Sequence, residues 1–151
     1  MSFNIVLFEP EIPNNTGNIG RLSLASGSTL HLVKPFGFEL NDKRVKRAGL
    51  DYWQHLDLKI YDSITHFFEI HSDKKFAFLS AKAEKNYYEI DYEDNMFFVF
   101  GKESKGLPKS VVENNKDSLY KIPLFSEHIR SLNLANAVSI VIYDAIKSKK
   151  L

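Results

Sequence analysis

Phe3-Asn4-Ile5-Val6-Leu7-Phe8 is a continuous apolar run, and Glu9-Pro10-Glu11-Ile12-Pro13-Asn14-Asn15-Thr16-Gly17-Asn18-Ile19-Gly20-Arg21 follows it directly. The run is short, β-branched and aromatic, and it does not alternate apolar with polar. That pattern suits a strand covered on both faces, as in a parallel sheet. The polar stretch then opens a helix-like segment over Thr16–Ser26, with Gly27 as its C-terminal stop. A second apolar run, Thr29–Val33, completes a strand–helix–strand unit. Further β-rich runs lie at Leu58–Tyr61, Phe76–Leu79, Met96–Phe100 and Leu119–Ile122, and helix-like stretches at Ser63–His71, Lys105–Asn115 and Leu132–Lys147. Strands alternating with helices predict an α/β fold with a mostly parallel sheet flanked by helices.

The 151 residues suit one domain over 1–151, and no low-complexity tract, repeat or Pro/Gly/Ser linker divides them. Cysteine is absent, which removes disulfides, thiolate metal sites, iron–sulfur clusters and thiol catalysis. Twenty Lys+Arg against 19 Asp+Glu leave a net charge of +1, so a polyanion would be met by a local patch, not by a general positive coat. No apolar segment is long enough to span a bilayer, and the apolar start has no basic n-region and runs at once into Glu9 and Glu11, unlike a signal peptide, so a cytoplasmic protein without membrane contact is expected.

The last helix is apolar almost all round, from Leu132 and Leu134 through Val138, Ile140, Val141 and Ile142 to Ile146, with a narrow polar seam of Asn133, Asn136, Ser139 and Tyr143. A surface helix would carry a broad polar face. This one is expected to be buried on more than one side, either in a monomer core or, as favoured here, against a second copy of the chain.

Three segments could carry chemistry at strand ends, where open α/β sheets place ligands. In Pro13–Arg21 the Asn and Thr residues can be read as a helix N-cap, but a cation near the positive end of a helix needs another explanation. Arg21 there suggests an anionic partner or a salt bridge to Glu9 or Glu11. Val99–Pro108 can be a simple turn with glycine at positive φ, or a loop that approaches a ligand with Glu103 aimed into the site. In Ile122–Asn136, Ser131 is a plausible N-cap, while Asn133 and Asn136 sit three apart in an apolar helix and would need partners if buried. Dinucleotide, Walker A, zincin and nucleophile-elbow motifs are all missing, and His66 and His71 fall about 140° apart on a helix, too far round to share a metal.

Together, and in this order, N-x-G-N-x-x-R, F-G-x-E-x-x-G-L and I-P…S-x-N-x-x-N-A resemble the three motifs of the SPOUT methyltransferases. Glu9–Ile19 and Arg47-Ala48-Gly49-Leu50-Asp51-Tyr52-Trp53 resemble the TrmL (YibK-like) branch, across essentially the whole chain. The resemblance implies a C-terminal deep trefoil knot forming the pocket for S-adenosyl-L-methionine (AdoMet), a homodimer through the last helix, and no metal. It implies methyl transfer to the ribose 2′-hydroxyl of wobble nucleotide 34, a cytidine or uridine derivative, in the tRNA anticodon region. Other readings are a 2′-O-methyltransferase acting elsewhere in tRNA or on rRNA, and a non-catalytic knotted RNA-binding protein.

By matching motif positions, Arg21, Asn15, Glu103, Ser131 and Asn133 would form the catalytic constellation. Main-chain groups around Phe78 or Leu79, Gly101, Ile122 and Leu132, with Ser131 nearby, would hold the cofactor. A guanidinium keeps its proton at ordinary pH, so Arg21 is read as an organiser and electrostatic stabiliser, with a substrate phosphate as proton acceptor. Lys43, Arg44, Lys46 and Arg47 put four cations in five residues: a solvated face or an RNA-binding patch. Lys34, Lys147, Lys149 and Lys150 are weaker candidates, and Phe36, Phe38, Tyr52 and Trp53 could stack an unpaired base or pack the core.

Overall fold

Residues 2–149 are described by a computed structural model, the side chains of residues 48–51 excepted; the expectation on Lys150 falls outside them. The strands are β1 (Asn4–Phe8), β2 (Thr29–Val33), β3 (Leu58–Tyr61), β4 (Phe76–Leu79), β5 (Lys85–Asn86), β6 (Phe97–Phe100) and β7 (Leu119–Lys121). The helices are α1 (Pro13–Ala25), α2 (Lys43–Gly49), α3 (Ile64–Ile70), α4 (Lys109–Asn114) and α5 (Leu134–Ser148). All strand pairs are parallel, in the order β3-β2-β1-β6-β4-β7-β5. Each of the six apolar runs read from the sequence became a strand.

Because successive side chains of a strand point to opposite faces, the continuous runs feed two cores. Ile5, Leu7, Leu30, Leu32 and Phe98 pack beneath α1 and α5, whose Ile19, Val138, Val141, Ile142 and Ala145 complete that layer. Val6, Phe8, Val33, Phe78, Phe97 and Val99 face the other way, beneath α3 and α4, with Phe67 and Val111. Burial of one fully enclosed Phe or Leu stabilises the fold by roughly 1.5–3 kcal/mol. This double coverage explains why none of the inner strands shows polar alternation.

Two elements were not foreseen, and two helix starts are corrected. The cationic stretch forms α2, followed by a 3₁₀ turn over Leu50–His55, and both pack on α1. Four cations in five residues hide the helix: among its described side chains Val45 is the one apolar anchor, fully buried. β5 has only two residues, too short for any periodicity. α1 begins at Pro13, not Thr16; Pro suits the first helical position, where its missing N–H costs no bond. α5 begins at Leu134, capped by Asn133 and not by Ser131: the Asn133 Oδ1 accepts from the Ala135 N–H at 2.9 Å and the Asn136 N–H at 3.3 Å.

α5 buries one face within the protomer, Val138, Val141, Ile142 and Ala145, all fully enclosed. Asn136, Tyr143 and Lys147 are exposed and Ile140 is half-buried, so these lie on the opposite side. The helix is therefore not enclosed all round by its own chain, and Asn133 and Asn136 are not buried amides in the protomer.

Candidate active site

The sheet reverses direction beside β1. From β1 the chain winds outward through β2 to β3, then returns to build β4 and places β6 between β4 and β1. The carboxyl ends on this second half form the crevice that such sheets offer to ligands. A cavity of about 610 Å³ lies there. Its walls are the segments at and after the ends of β4 (Leu79–Lys82), β6 (Phe100–Leu107) and β7 (Ile122, Leu124, Arg130–Leu134 and Ala137), with Ile12 and Asn15 at the start of α1.

The β6 segment is a tight loop closed by a Gly106 N–H to Lys102 carbonyl bond of 2.8 Å. A Cβ on Gly101 would stand 2.0 Å from the Gly106 carbonyl carbon, so no other residue fits. The positive φ belongs to Gly106, at 71°, and not to Gly101. Glycine is thus required at one position by close approach and favoured at the other by backbone conformation.

Glu103 leaves this loop and accepts three hydrogen bonds: the Glu11 N–H at 2.9 Å, the Ile12 N–H at 2.9 Å and the Asn15 amide at 3.2 Å. Ile12 stands at the N-cap of α1 without a side-chain cap. A carboxylate from 91 residues downstream supplies it, favourably placed against the helix dipole. Glu103 lines the cavity, and its oxygens are engaged by the β1–α1 loop. The clamp is reciprocal. Glu11 accepts the Ser104 N–H at 2.9 Å, and hydrogen bonding from Ser104, aided by Lys102 and Lys105, holds its carboxyl below the ordinary value. Lys102 pairs with Glu9 at 3.5 Å.

Asn15 is buried and its amide is used at both ends, donating to Glu103 and accepting from the Asn133 amide at 3.0 Å. Asn133, Asn15 and Glu103 therefore form one chain of hydrogen bonds linking the β7 segment, α1 and the β6 loop. Asn15 and Asn133, 118 positions apart, meet here. Leu79, Gly101, Ile122, Ser131 and Leu132 line the same cavity, with Ser131 exposed. Of the Phe78-or-Leu79 pair expected to offer main-chain groups, Leu79 lines the cavity, while the Phe78 side chain packs in the core under α3 and α4, neighbouring residues of β4 facing opposite ways.

Arg21 is exposed on α1, about 9 Å along the helix from Asn15. Its guanidinium lies over the Tyr52 ring, 5.1 Å from the centroid. It pairs with neither Glu9 nor Glu11; Glu9 is taken by Lys102. On α2, Lys43, Lys46 and Arg47 are exposed, whereas Arg44 is held by Asp42 through contacts of 3.0 and 3.2 Å. Among the candidate cations outside α2, Lys34 faces Asp62 at 3.9 Å and Lys149 faces Asp94 at 3.7 Å. Among the described residues no three His, Asp or Glu side chains converge on a metal-sized site.

Residues 2–143 match the SpoU rRNA Methylase family. The chain belongs to that family. A Bacillus subtilis relative, named as a tRNA (cytidine(34)-2′-O)-methyltransferase, is 43% identical over 99% of this chain and 94% of its own length. A chain solved for structural insights into the 2-OH methylation of C/U34 on tRNA superposes with a TM-score of 0.94 and 40% identity, covering 99% and 97% of the two chains. An RNA methyltransferase structure from Bacillus anthracis superposes at 0.91 with 46% identity, covering 98% and 94%. A more distant SpoU fold, AviRb from Streptomyces viridochromogenes in complex with AdoMet, is 19% identical at a TM-score of 0.83 over 97% and 57%.

Signals missed in the sequence are now identifiable. Glu11 and Ser104 are half of the clamp, and Ile12 forms part of the cavity wall. Gly20 allows Trp53 to sit on α1, since a Cβ there would be 2.7 Å from the indole. None of these announces itself by periodicity.

Proposed function

We propose that this SpoU-family chain, a single domain, is an AdoMet-dependent tRNA methyltransferase that methylates the ribose 2′-hydroxyl of wobble nucleotide 34, a cytidine or uridine derivative. The observation carrying this reading is the Asn133–Asn15–Glu103 chain of hydrogen bonds beside the cavity, in a protein 43% identical to a relative named for that reaction.

The cavity suits AdoMet. It combines apolar walls at Leu79, Ile122, Leu124 and Leu132 with main chain exposed at Gly101, where a side chain cannot fit. Adenine would be held by main-chain groups around Leu79, Gly101, Ile122 and Leu132, with Ser131 at the rim. Bound AdoMet supplies an electrophilic methyl group on sulfur, whose departure as a neutral thioether calls for neither acid nor metal.

The protein's task is then placement and charge. Glu103, Asn15 and Asn133 fix α1 against the cofactor loops. Arg21, farther along the same helix, receives the phosphate of the target nucleotide and stabilises charge growing on the 2′-oxygen. A substrate phosphate accepts the proton. Lys43, Lys46 and Arg47 on α2 form a cationic surface for the anticodon arm, and Arg44 joins it where RNA displaces Asp42. α5 makes a homodimer through the side carrying Ile140. The loops lining the cavity form a deep trefoil knot, and the protein works in the cytoplasm, with no membrane contact.

The test is transfer of labelled methyl from AdoMet to total tRNA, followed by mapping of the modified nucleoside. Label in a 2′-O-methylated nucleoside at position 34 supports the reading. Label confined to another tRNA position, or no label in tRNA at all, overturns it.

A further inference from the structure

We infer that Tyr52 is a positioning residue that holds the Arg21 guanidinium in its working orientation. The inference rests on the reading of Arg21 as the organiser of the target phosphate. Arg21 is exposed, and a long cationic side chain on a helix surface is spread over many rotamers unless something holds it. The Tyr52 ring lies 5.1 Å from it, within range of a cation–π contact.

That contact is built by the fold. The 3₁₀ turn over Leu50–His55 docks on α1 where Gly20 removes a side chain: a Cβ there would be 2.7 Å from Trp53 Cζ3 and 3.3 Å from Leu56 Cδ2. With Trp53 seated over Gly20, the adjacent residues on the two segments, Tyr52 and Arg21, are brought face to face. α2 packs along the same side of α1, so the cationic helix and the tyrosine turn dock together. A π-face attracts a cation without using its N–H donors. Arg21 is thus oriented with its planar fork available to a phosphate. Tyr52 remains 41% exposed, so substrate can approach the pair. Among the described residues its hydroxyl makes no hydrogen bond, and the ring alone is what the geometry uses.

The experiment measures single-turnover methylation of tRNA, KM for tRNA and calorimetric AdoMet binding for wild type, Tyr52→Phe and Tyr52→Leu, and repeats Tyr52→Leu in an Arg21→Ala background. Tyr52→Phe is expected to stay within about twofold of wild type. Tyr52→Leu is expected to lower the rate about 3–10-fold, the size of a surface-to-partly-desolvated cation–π contact, with AdoMet affinity and KM unchanged. In the Arg21→Ala background it should cost nothing further, whereas an independent structural effect would multiply. If Tyr52→Leu does not fold, Tyr52→Gln takes its place with the same expectation. A wild-type rate in the Leu variant overturns the inference. So does equal loss in Phe and Leu, or a raised KM at unchanged kcat, which would make Tyr52 an RNA contact. Failure of the wild-type protein to methylate any tRNA would overturn the underlying reading of the site as well.

Discussion

Glu103 is a carboxylate whose oxygens face three N–H donors from another loop, and its chemistry follows from that count. Glu103→Gln presents an amide N–H₂ to one main-chain N–H and orphans it. Thermal or urea unfolding should report a loss of about 1–3 kcal/mol, together with slower methyl transfer. Arg21 is the opposite case, exposed and outside the cavity wall. Arg21→Ala and Arg21→Lys should each reduce single-turnover methylation by about 10²–10³-fold, because a lysine point charge does not replace a planar fork. Calorimetric AdoMet affinity should be unchanged in both. Near-wild-type methylation would remove Arg21 from the reaction, and lost AdoMet binding would make it a pocket residue. At this scale the sequence displayed the residue types and their order, since Asn15, Glu103 and Asn133 stand in spaced motifs. It did not display their partners. Main-chain donors such as the Glu11 and Ile12 N–H carry no sequence signature, which is why the hydrogen bonds of Glu103 were not legible.

α5 and the β2–β3 layer are where elements do two things at once. Asn133 caps α5 through its oxygen and reaches Asn15 through its nitrogen. Asn133→Asp keeps the acceptor and loses the donor, so stability should hold while methyl transfer falls. Asn133→Ala should lose both, with about 1 kcal/mol of unfolding free energy from the cap. Equal activity in Asp and wild type would separate the Asn15 link from function. In β2, His31 is 3% exposed and joins β1 and β3, with Nδ1 at 2.7 Å from the Tyr61 hydroxyl and Nε2 at 2.8 Å from Asn4 Oδ1. Burial, and then the neighbouring His71, push its pKa down from 6.5 to about 4. The unfolded chain therefore binds the proton more readily. Stability is whole above pH 6.5, falls as pH drops toward 4, and levels off below, by a total on the order of 3 kcal/mol. Thermal melts across that range should show the slope, and His31→Gln should flatten it while lowering Tm at neutral pH. Glu11 acts lower on the scale: its contribution is complete above about 4.5 and is lost as pH falls through its lowered value. Elements with an apolar face were legible from the outset. α2 was hidden because Val45 is the one buried anchor among its described side chains, and the start of α5 was misplaced because Ser131 and Asn133 are both good caps and only tertiary contact chooses between them.

For the whole molecule, the parallel sheet and its helices followed from continuous apolar runs, whereas strand order depends on long-range pairing that local patterns do not encode. The all-round apolarity of the last helix was half explained by the protomer: Ile142 lies in the core, so its replacement by Glu would unfold the chain and reveal nothing about assembly. Ile140, half-buried opposite that core, is the informative position. Sedimentation should find a wild-type dimer at micromolar concentration and a folded monomer for Ile140→Lys; a wild-type monomer would contradict the proposed assembly. The central claim is that the acceptor is one hydroxyl on one nucleotide. Two otherwise identical tRNA substrates, one with ribose and one with 2′-deoxyribose at nucleotide 34, should be given labelled AdoMet and wild-type protein in single turnover. The account predicts label in the ribose substrate and none in the deoxyribose substrate; equal label in both, or label in neither, would contradict it.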